Sequence, residues 1–487
     1  MAGRMRRTLR WLAVLGVVGA LVAGLTVAWQ EGMLDDYLGI SEDQPSASGT
    51  PSAESGVIGV TPPEAAAPAE LAPAAPTSGV AVLPRRARSA VAEAATDPAL
   101  GRHVVVRVAA LDASGPTYSL GEGSVIPAST TKLLTATAAL SALGPDHTFT
   151  TSVVAADAKR DIVLVGGGDP YLARRPTPAD EGDSVYPARA DLGTLAAQTA
   201  RALREADLRR VRLFYDASLF SGPELNPKWE ADYGPDDVVA PVTALWVDEG
   251  RPASGYGRVD NPSRHAAEVF AAALRKRGIR VTAAPRPGVA PSGATSLASV
   301  SSAPLDQIVQ HVLDVSDNEG AEVLAHQVGL AVAGDGSFRG GVRGVEETLR
   351  KLGVPLDDAR IYDGSGLSRH NRLDPAVLTA ILSLAADPDH PELRPVLTGL
   401  PVAGFTGSLS YRFETGGEAG RGVVRAKTGT LSGVSGLAGM VTDRAGRPLV
   451  FVAMADRIAL RNTLGARAAL DRIAGALADC ACTRVAH

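Results

Sequence analysis

One stretch of the sequence, PASTTKLLTATAALSAL at residues 127–143, decides the fold that the rest of the chain must support. Apolar side chains recur through it at helical spacing: Leu133, Ala136, Leu140 and Leu143. Most other residues are alanine or threonine, which predicts a helix packed on nearly all sides, ended by Gly144 and the proline after it. Ser129 and Lys132 lie on one face, about one turn apart. A lysine in such surroundings is costly unless it has a partner or a chemical task.

Short strands are predicted on both sides of this helix. Residues 102–111 are rich in valine, and a turn at 112–115 leads to a second short segment around Tyr118, so we expect a hairpin. Near the C-terminus we expect strands at 422–430, 434–442 and 448–455, followed by a closing helix at 459–478. Strands at both ends with apolar helices between them predict an α/β fold, in which helices flank an antiparallel sheet.

Two further polar groups follow the serine and lysine along the chain. Ser316-Asp-Asn318 enters a helical pattern at 321–332, and Lys427-Thr-Gly429 lies on the predicted strand 422–430. Taken singly, each has an ordinary structural interpretation: a surface serine beside a solvated lysine, or a helix N-cap at Ser316. Of 48 basic residues, however, only six are lysine, and two of those stand in these groups. A primary amine can titrate where a guanidinium cannot.

The residue types suit nucleophilic catalysis by serine. A serine hydroxyl is a weak nucleophile until a neighbour takes its proton, and a buried amine can do so when its charged form is disfavoured. Ser129 is therefore the candidate nucleophile and Lys132 the candidate base. Lys427 is a candidate second cation, and Ser316 could relay a proton to the leaving amine.

The remaining candidates would bind substrate. Backbone N–H groups of Ser129 and Thr430 are the predicted oxyanion hole. The hydroxyls of Thr428 and Thr430 beside Lys427 offer a place for a carboxylate. The amide of Asn318 is suited to hold a peptide carbonyl.

The three groups match, in order, the S-x-x-K, S-D-N and K-T-G motifs of penicillin-binding proteins and β-lactamases. The chain resembles the type 4 penicillin-binding proteins, the D-alanyl-D-alanine carboxypeptidase/endopeptidase family, from about residue 100 to 480. Four further segments carry this resemblance: residues 164–170, 240–245, 362–369 and 401–413. It implies the penicillin-binding-protein/β-lactamase-like transpeptidase fold.

The resemblance also implies an activity. Ser129 would form an acyl-enzyme with peptidoglycan stem peptides and release D-alanine, with cleavage of cross-links as a related endopeptidase activity. β-Lactam antibiotics would be covalent inhibitors. Two alternatives stay open: a β-lactamase or esterase of the same fold, and a non-catalytic protein that binds the cell wall.

The spacing of the motifs predicts an inserted domain. Ser316 follows Ser129 by 187 residues, which is more than the simple fold needs. We expect a discontinuous catalytic domain at 89–150 and 301–487, interrupted at 151–300 by one compact insertion or by one domain with a vestigial second. The resemblance implies two inserted domains, and the gap is short for both.

The N-terminus predicts export. Four arginines precede an uncharged apolar run at residues 11–29, typical of a signal peptide or a membrane anchor, so residues 1–34 form the predicted signal or anchor segment. Residues 35–88 are rich in proline and alanine and predict a disordered linker. The protein would then be anchored in the membrane or secreted after cleavage.

Composition excludes several other classes. The net charge of -5 offers no general basic field for nucleic acid. Eight histidines lack the spacing of a metallopeptidase, and two cysteines cannot build a zinc module, so no metal or cofactor is expected. Cys480 and Cys482 could form a local disulfide or stay as free thiols.

Overall fold

The structure is a computed structural model, and it describes residues 80–112, 115–178 and 185–485. The predicted signal or anchor segment at 1–34 and the linker up to residue 79 lie outside the described residues, as do Ala113 and Ser114 of the predicted turn. Across the described ranges, every helix is too short or too polar to span a lipid bilayer.

The described strands, in chain order, are β1 (Val80–Val82), β2 (Val104–Ala110), β3 (Tyr118–Leu120), β4 (Thr150–Ala155), β5 (Asp161–Val165), β6 (Arg210–Asp216), β7 (Arg280–Val281), β8 (Arg286–Pro287), β9 (Ser296–Ser301), β10 (Val424–Leu431), β11 (Val434–Thr442), β12 (Pro448–Ala455) and β13 (Thr483–Val485). The described α-helices are α1 (Pro84–Ala95), α2 (Lys132–Leu143), α3 (Leu192–Glu205), α4 (Pro262–Lys276), α5 (Leu305–Asp314), α6 (Asn318–Ala333), α7 (Phe338–Lys351), α8 (Pro375–Ala386), α9 (Arg394–Thr398) and α10 (Thr463–Ala478).

The first sheet is antiparallel and has the strand order β10-β11-β12-β2-β3. It is covered on both faces because alternate residues of a strand point to opposite sides. In β12, Val450 and Val452 join the core that contains α2 and α8, whereas Phe451 and Ala453 join the core that contains α1 and α10. The predicted α/β fold, with helices flanking an antiparallel sheet, is confirmed.

A second sheet is built from the chain between α2 and α5. Its strand order is β7-β6-β5-β4-β9, with β8 also beside β6, and β5, β6 and β7 run parallel. Helices α3 and α4 cover one of its faces and share a hydrophobic core with it. An inserted domain needs a hydrophobic core of its own, and this segment has one. The domain boundaries at 151 and 300 stay a prediction.

The predicted linker is wrong at its C-terminal end. Residues 80–88, which we expected to be disordered, form β1 and the start of α1. β1 pairs with β13 at the other end of the chain, and Ala87 and Val91 are buried. Pro84 begins the helix instead of breaking it, since proline is well tolerated in the first helical turn.

The two cysteines lie beside this N-terminal segment. Cys480 and Cys482 are joined by a disulfide, and the carbonyl of Cys482 accepts a hydrogen bond from the backbone N–H of Leu83 at 2.7 Å. Of the two states that the sequence left open, the structure has the oxidised one.

Candidate active site

The candidate nucleophile lies in a tight turn that opens onto α2. Residues Ala128–Thr131 form one turn of 3-10 helix, and α2 begins at Lys132, so the single helix predicted from residue 127 is two joined elements. Ala128 has a φ of +48°, in the left-handed region, which alanine adopts only under constraint. Gly429 of β10 lies against this turn, because a Cβ there would lie 2.7 Å from the carbonyl oxygen of Pro127. The turn and the K-T-G strand are therefore in close contact, and Ser129 remains partly exposed.

Lys132 is fully buried and hydrogen-bonded at the centre of the site. Its Nζ donates to Ser129 Oγ at 3.1 Å, to Asn318 Oδ1 at 2.8 Å and to the carbonyl oxygen of Ser365 at 2.7 Å. Burial lowers the pKa of Lys132 to about 8, against the opposing effect of nearby carboxylates, of which Asp317 is the strongest. An amine in this state, bonded to a serine hydroxyl, can exchange a proton with that hydroxyl near neutral pH.

Lys427 lies on β10 with its side chain fully buried. Burial, and then the positive charge of Lys132, hold the pKa of Lys427 well below its ordinary value, while Asp314 acts in the opposite direction. Its Nζ donates to the carbonyl oxygen of Thr428 at 3.1 Å, and Thr428 Oγ1 donates to Ser408 Oγ at 3.0 Å. The charge of Lys132 thus disfavours the charged form of Lys427.

The S-D-N turn is held by its middle residue. Asp317, and not Ser316, caps α6, accepting from the backbone N–H of Gly320 at 3.0 Å. Asn318 reaches Lys132 and donates from Nδ2 to the carbonyl oxygen of Val238 at 3.2 Å. Ser316 has a φ of +64°, and within the described residues its side chain makes no hydrogen bond.

The structure therefore links the predicted residues to different degrees. Hydrogen bonds join Ser129, Lys132 and Asn318, and an electrostatic interaction joins Lys427 to Lys132. Thr428 and Thr430 share the strand of Lys427, beside the nucleophile turn. Ser316 is brought to the same region by the chain but bonds to none of the others.

Sequence reasoning missed Glu322 and the backbone of Ser365. The Glu322 carboxylate is fully buried and accepts from the backbone N–H of Ser365 at 2.8 Å and of Gly364 at 3.1 Å. The same Ser365 residue presents its carbonyl to Lys132. Burial and the Asp363 charge raise the pKa of Glu322 to about 8. An acidic residue among the apolar residues of a helix is the signal that could have identified it, as a basic residue in such surroundings identified Lys132.

The 363–368 loop is itself braced by Asp363, which accepts from the backbone N–H of Ser368 at 2.6 Å. Trp229, from the inserted segment, donates its Nε1–H to the same carboxylate at 2.8 Å. Tyr171, also from that segment, donates its hydroxyl to Asp317 at 2.7 Å. Two residues of the predicted insertion thus hydrogen-bond to the loop and to the S-D-N turn.

The donor set around Ser129 contains amines, amides and hydroxyls. Across the described part of the chain, no group of three or more histidine, cysteine, aspartate or glutamate side chains is arranged to hold a metal ion. A partly exposed serine bonded to a buried lysine, on a helix beside an antiparallel sheet, defines the class of serine acyl-transfer enzymes.

Comparison with known proteins names the family. The model of the D-Ala-D-Ala carboxypeptidase 3 (S13) family matches residues 87–256 and 251–477. A carboxypeptidase from Mycobacterium tuberculosis is 36% identical over 84% of this chain and 87% of its own length. The carboxypeptidase DacB of Mycolicibacterium smegmatis is 34% identical over 97% of this chain and 96% of its own. The chain belongs to the D-Ala-D-Ala carboxypeptidase 3 (S13) family and is a hydrolase of that family.

A solved structure supports the fold. Penicillin-binding protein 4 from Haemophilus influenzae superposes with a TM-score of 0.65 at 22% identity, covering 79% of this chain and 97% of that one. The same protein was also solved in complex with a β-lactam. The expected penicillin-binding-protein fold is confirmed.

Proposed function

We propose that this protein removes the terminal D-alanine from peptidoglycan stem peptides through an acyl-enzyme on Ser129. The observation that carries the proposal is the hydrogen bond from the buried Lys132 Nζ to Ser129 Oγ. Family membership supports a peptidase over the alternatives of a β-lactamase, an esterase or a non-catalytic wall-binding protein.

In the acylation step, neutral Lys132 takes the proton of the Ser129 hydroxyl. The oxygen attacks the carbonyl carbon of the penultimate D-alanine, and the backbone N–H groups of Ser129 and Thr430 hold the resulting oxyanion. The C–N bond then breaks. Ser316 passes its proton to the departing amine and is reprotonated from Lys132, which returns to the neutral form.

In the deacylation step, water attacks the ester carbonyl and Lys132 accepts the proton of that water. The bond to Ser129 Oγ breaks, the proton returns to the serine, and the shortened peptide leaves. A base with a pKa of about 8 suits both steps near neutral pH, because it is neither fully charged nor too weak to accept a proton.

The substrate would be held by groups on two elements. Lys427 and the hydroxyls of Thr428 and Thr430 would bind the terminal carboxylate, whose negative charge would restore the protonated form of Lys427. Asn318 would hold a peptide carbonyl of the stem. Cross-links end in the same D-alanyl carbonyl, so the proposal includes endopeptidase activity.

The test is labelling of the purified full chain with a fluorescent penicillin. We expect a covalent adduct with the wild-type chain and none with Ser129→Ala, together with release of D-alanine from a pentapeptide by the wild type alone. Ser141→Ala, at a serine of the adjoining helix α2, is the matched control and should label normally. Equal labelling of Ser129→Ala would show that the nucleophile is elsewhere. Monomeric and cross-linked muropeptides, compared side by side, would separate the two peptidase activities.

We further propose that the protein is exported and works on the cell wall, with residues 11–29 as a cleaved signal or a retained anchor. Residues 151–300 form its inserted domain, and the separate core of the second sheet supports this division. Cell fractionation with an antibody to the catalytic part would test the location, and a membrane-bound chain released by deleting residues 1–34 would identify the anchor. A cytoplasmic chain would contradict the proposal.

A further inference from the structure

One face of the second sheet exposes basic side chains along β6. In β6, Val211 and Leu213 point into the core shared with α3 and α4, and the alternate residues Arg210 and Arg212 are exposed on the opposite face. The strand therefore presents two arginines to solvent on the same side, about 6.6 Å apart along the chain.

Neighbouring elements add cations to this side. β7 pairs with β6 in parallel, and its exposed Arg280 lies opposite Arg210 on the same face, about 4.8 Å away across the sheet. The turn between β4 and β5 contributes the exposed Lys159 and Arg160. We call this set the basic face: Lys159, Arg160, Arg210, Arg212 and Arg280.

Four of these cations line one cavity of about 530 Å³, together with Asp161 and Thr282. Asp161 is the single carboxylate in that lining, and it is held by Arg212 in two hydrogen bonds of 2.6 Å each. Within the described residues, Lys159, Arg160 and Arg210 form no ion pair. The cavity is thus a concentration of uncompensated positive charge on a chain whose net charge is -5.

We propose that the basic face binds a linear, phosphate-bearing polymer of the cell wall. Guanidinium groups bind phosphate oxygens through two parallel hydrogen bonds, and a row of cations spaced by a few ångströms matches a chain with repeated negative charges. The acidic remainder of the protein repels such a chain, so binding is confined to this face. The wall as the source of the polymer rests on the proposed function, whereas the phosphate chemistry rests on the basic face alone.

The surroundings favour a polymer over a membrane surface. The cations line a recess instead of a flat rim, and none of the large exposed apolar side chains of the described residues lies in its lining. A peripheral membrane site would combine basic groups with such apolar side chains. Because Ser129 lies beside the first sheet, the basic face would retain the enzyme on the wall without taking part in the reaction.

The test measures binding of the full chain to inorganic polyphosphate by titration calorimetry at several salt concentrations. We expect binding that weakens as salt rises, and a loss of about tenfold or more in the triple variant Lys159→Ala/Arg160→Ala/Arg210→Ala, with a shallower salt dependence. A matched triple variant, Arg85→Ala/Arg264→Ala/Arg461→Ala, removes the same charge from exposed positions elsewhere and should bind as the wild type does. Turnover of a soluble pentapeptide should be the same in all three chains, which also shows that the variants fold.

A second arm tests the source of the polymer. Wild-type chain should be retained by isolated cell walls and lose this retention when phosphate polymers are stripped from the walls with acid. The first triple variant should be retained by neither preparation.

Equal polyphosphate binding by both triple variants would overturn the proposal, as would equally tight binding to polyglutamate. Binding to phosphatidylglycerol vesicles that exceeds binding to polyphosphate would replace the polymer with a membrane. A chain that binds polyphosphate through the basic face but releases no D-alanine would refute the proposed function and leave the phosphate chemistry standing.

Discussion

The first and second sheets differ in what covers them. The first is buried on both faces, and the buried Lys427 lies on its β10 edge strand against the nucleophile turn. The second is covered by helices on one face and exposes arginines on the other. The same kind of element therefore produces two electrostatic environments, depending on whether water reaches its side chains.

This difference in burial explains why the active site carries lysines and the basic face carries mainly arginines. Burial disfavours the charged form of an amine, so Lys132 and Lys427 have lowered pKa values and can exchange protons. A guanidinium keeps its charge, and Arg210 on the exposed face is suited to bind anions without reacting with them. A chain with few lysines places two of them where burial makes titration possible.

The largest effect is expected from removing the buried amine of Lys132. Lys132→Met should reduce penicillin acylation and D-alanine release by about 10²- to 10⁴-fold, the usual contribution of a general base. The exposed Lys351→Met is the control and should leave both rates unchanged. Full activity of Lys132→Met would show that another group activates Ser129.

The same variant should change the dependence of stability on pH. The unfolded chain binds the Lys132 proton up to pH 10.5, whereas the folded chain releases it near pH 8, so the free energy of unfolding rises with pH between these values. A shift of this size corresponds to about 3 kcal/mol. Denaturant unfolding at pH 7 and pH 10 should show a smaller rise in Lys132→Met than in the wild type. Equal slopes would mean that Lys132 titrates normally.

A smaller effect should follow from separating the first sheet from the nucleophile turn. In Gly429→Ala, the added Cβ would lie 2.7 Å from the carbonyl oxygen of Pro127, so β10 must move away from Ser129. We expect unfolding to require about 1–3 kcal/mol less free energy and acylation by penicillin to slow. Gly234→Ala, where the nearest side-chain atom would be 3.4 Å away, is the control. Unchanged acylation would argue that the contact does not position the oxyanion hole.

The smallest effect is expected from Tyr171→Phe, which tests what the predicted insertion contributes to the site. Tyr171→Phe removes the hydroxyl that donates to Asp317 at 2.7 Å, and should cost about 0.5–1.5 kcal/mol of stability. Asp317 caps α6, which begins at Asn318, and Asn318 accepts a hydrogen bond from Lys132. We therefore also expect acylation to slow by a few-fold. Tyr256→Phe, at a side chain that is 86% exposed, should change neither. Lost stability with a normal acylation rate would make Tyr171 a structural support only.

Local patterns predicted the parts of the fold that depend on local interactions. The strands at 434–442 and 448–455 were predicted to the residue, because the turn residues 443–446 separate two segments rich in apolar residues. The helix beginning near Ser129 was predicted as well, but its first turn of 3-10 helix was not. That turn, with Ala128 in the left-handed region, lies against Gly429, about 300 residues away in sequence.

Long-range contacts account for the remaining errors and omissions. Residues 80–88 have the composition of a linker, yet β1 pairs with β13 and Ala87 packs into the core that contains α10. Glu322 was missed because its task, accepting the backbone N–H groups of Gly364 and Ser365, involves atoms that every residue has. The sequence shows an acidic residue among apolar ones, and only the packed structure shows which backbone groups it binds.

By itself, the sequence determined the residue types of the site, their order, and the elements that carry them. The spacing of Ser129 and Lys132 along one helix already places their side chains together, since helical geometry is local. Only the tertiary structure decided that Lys132 meets Asn318 and Ser365, and that it does so out of reach of water. A lysine becomes a base near neutral pH through burial, and burial is a property of the packed molecule.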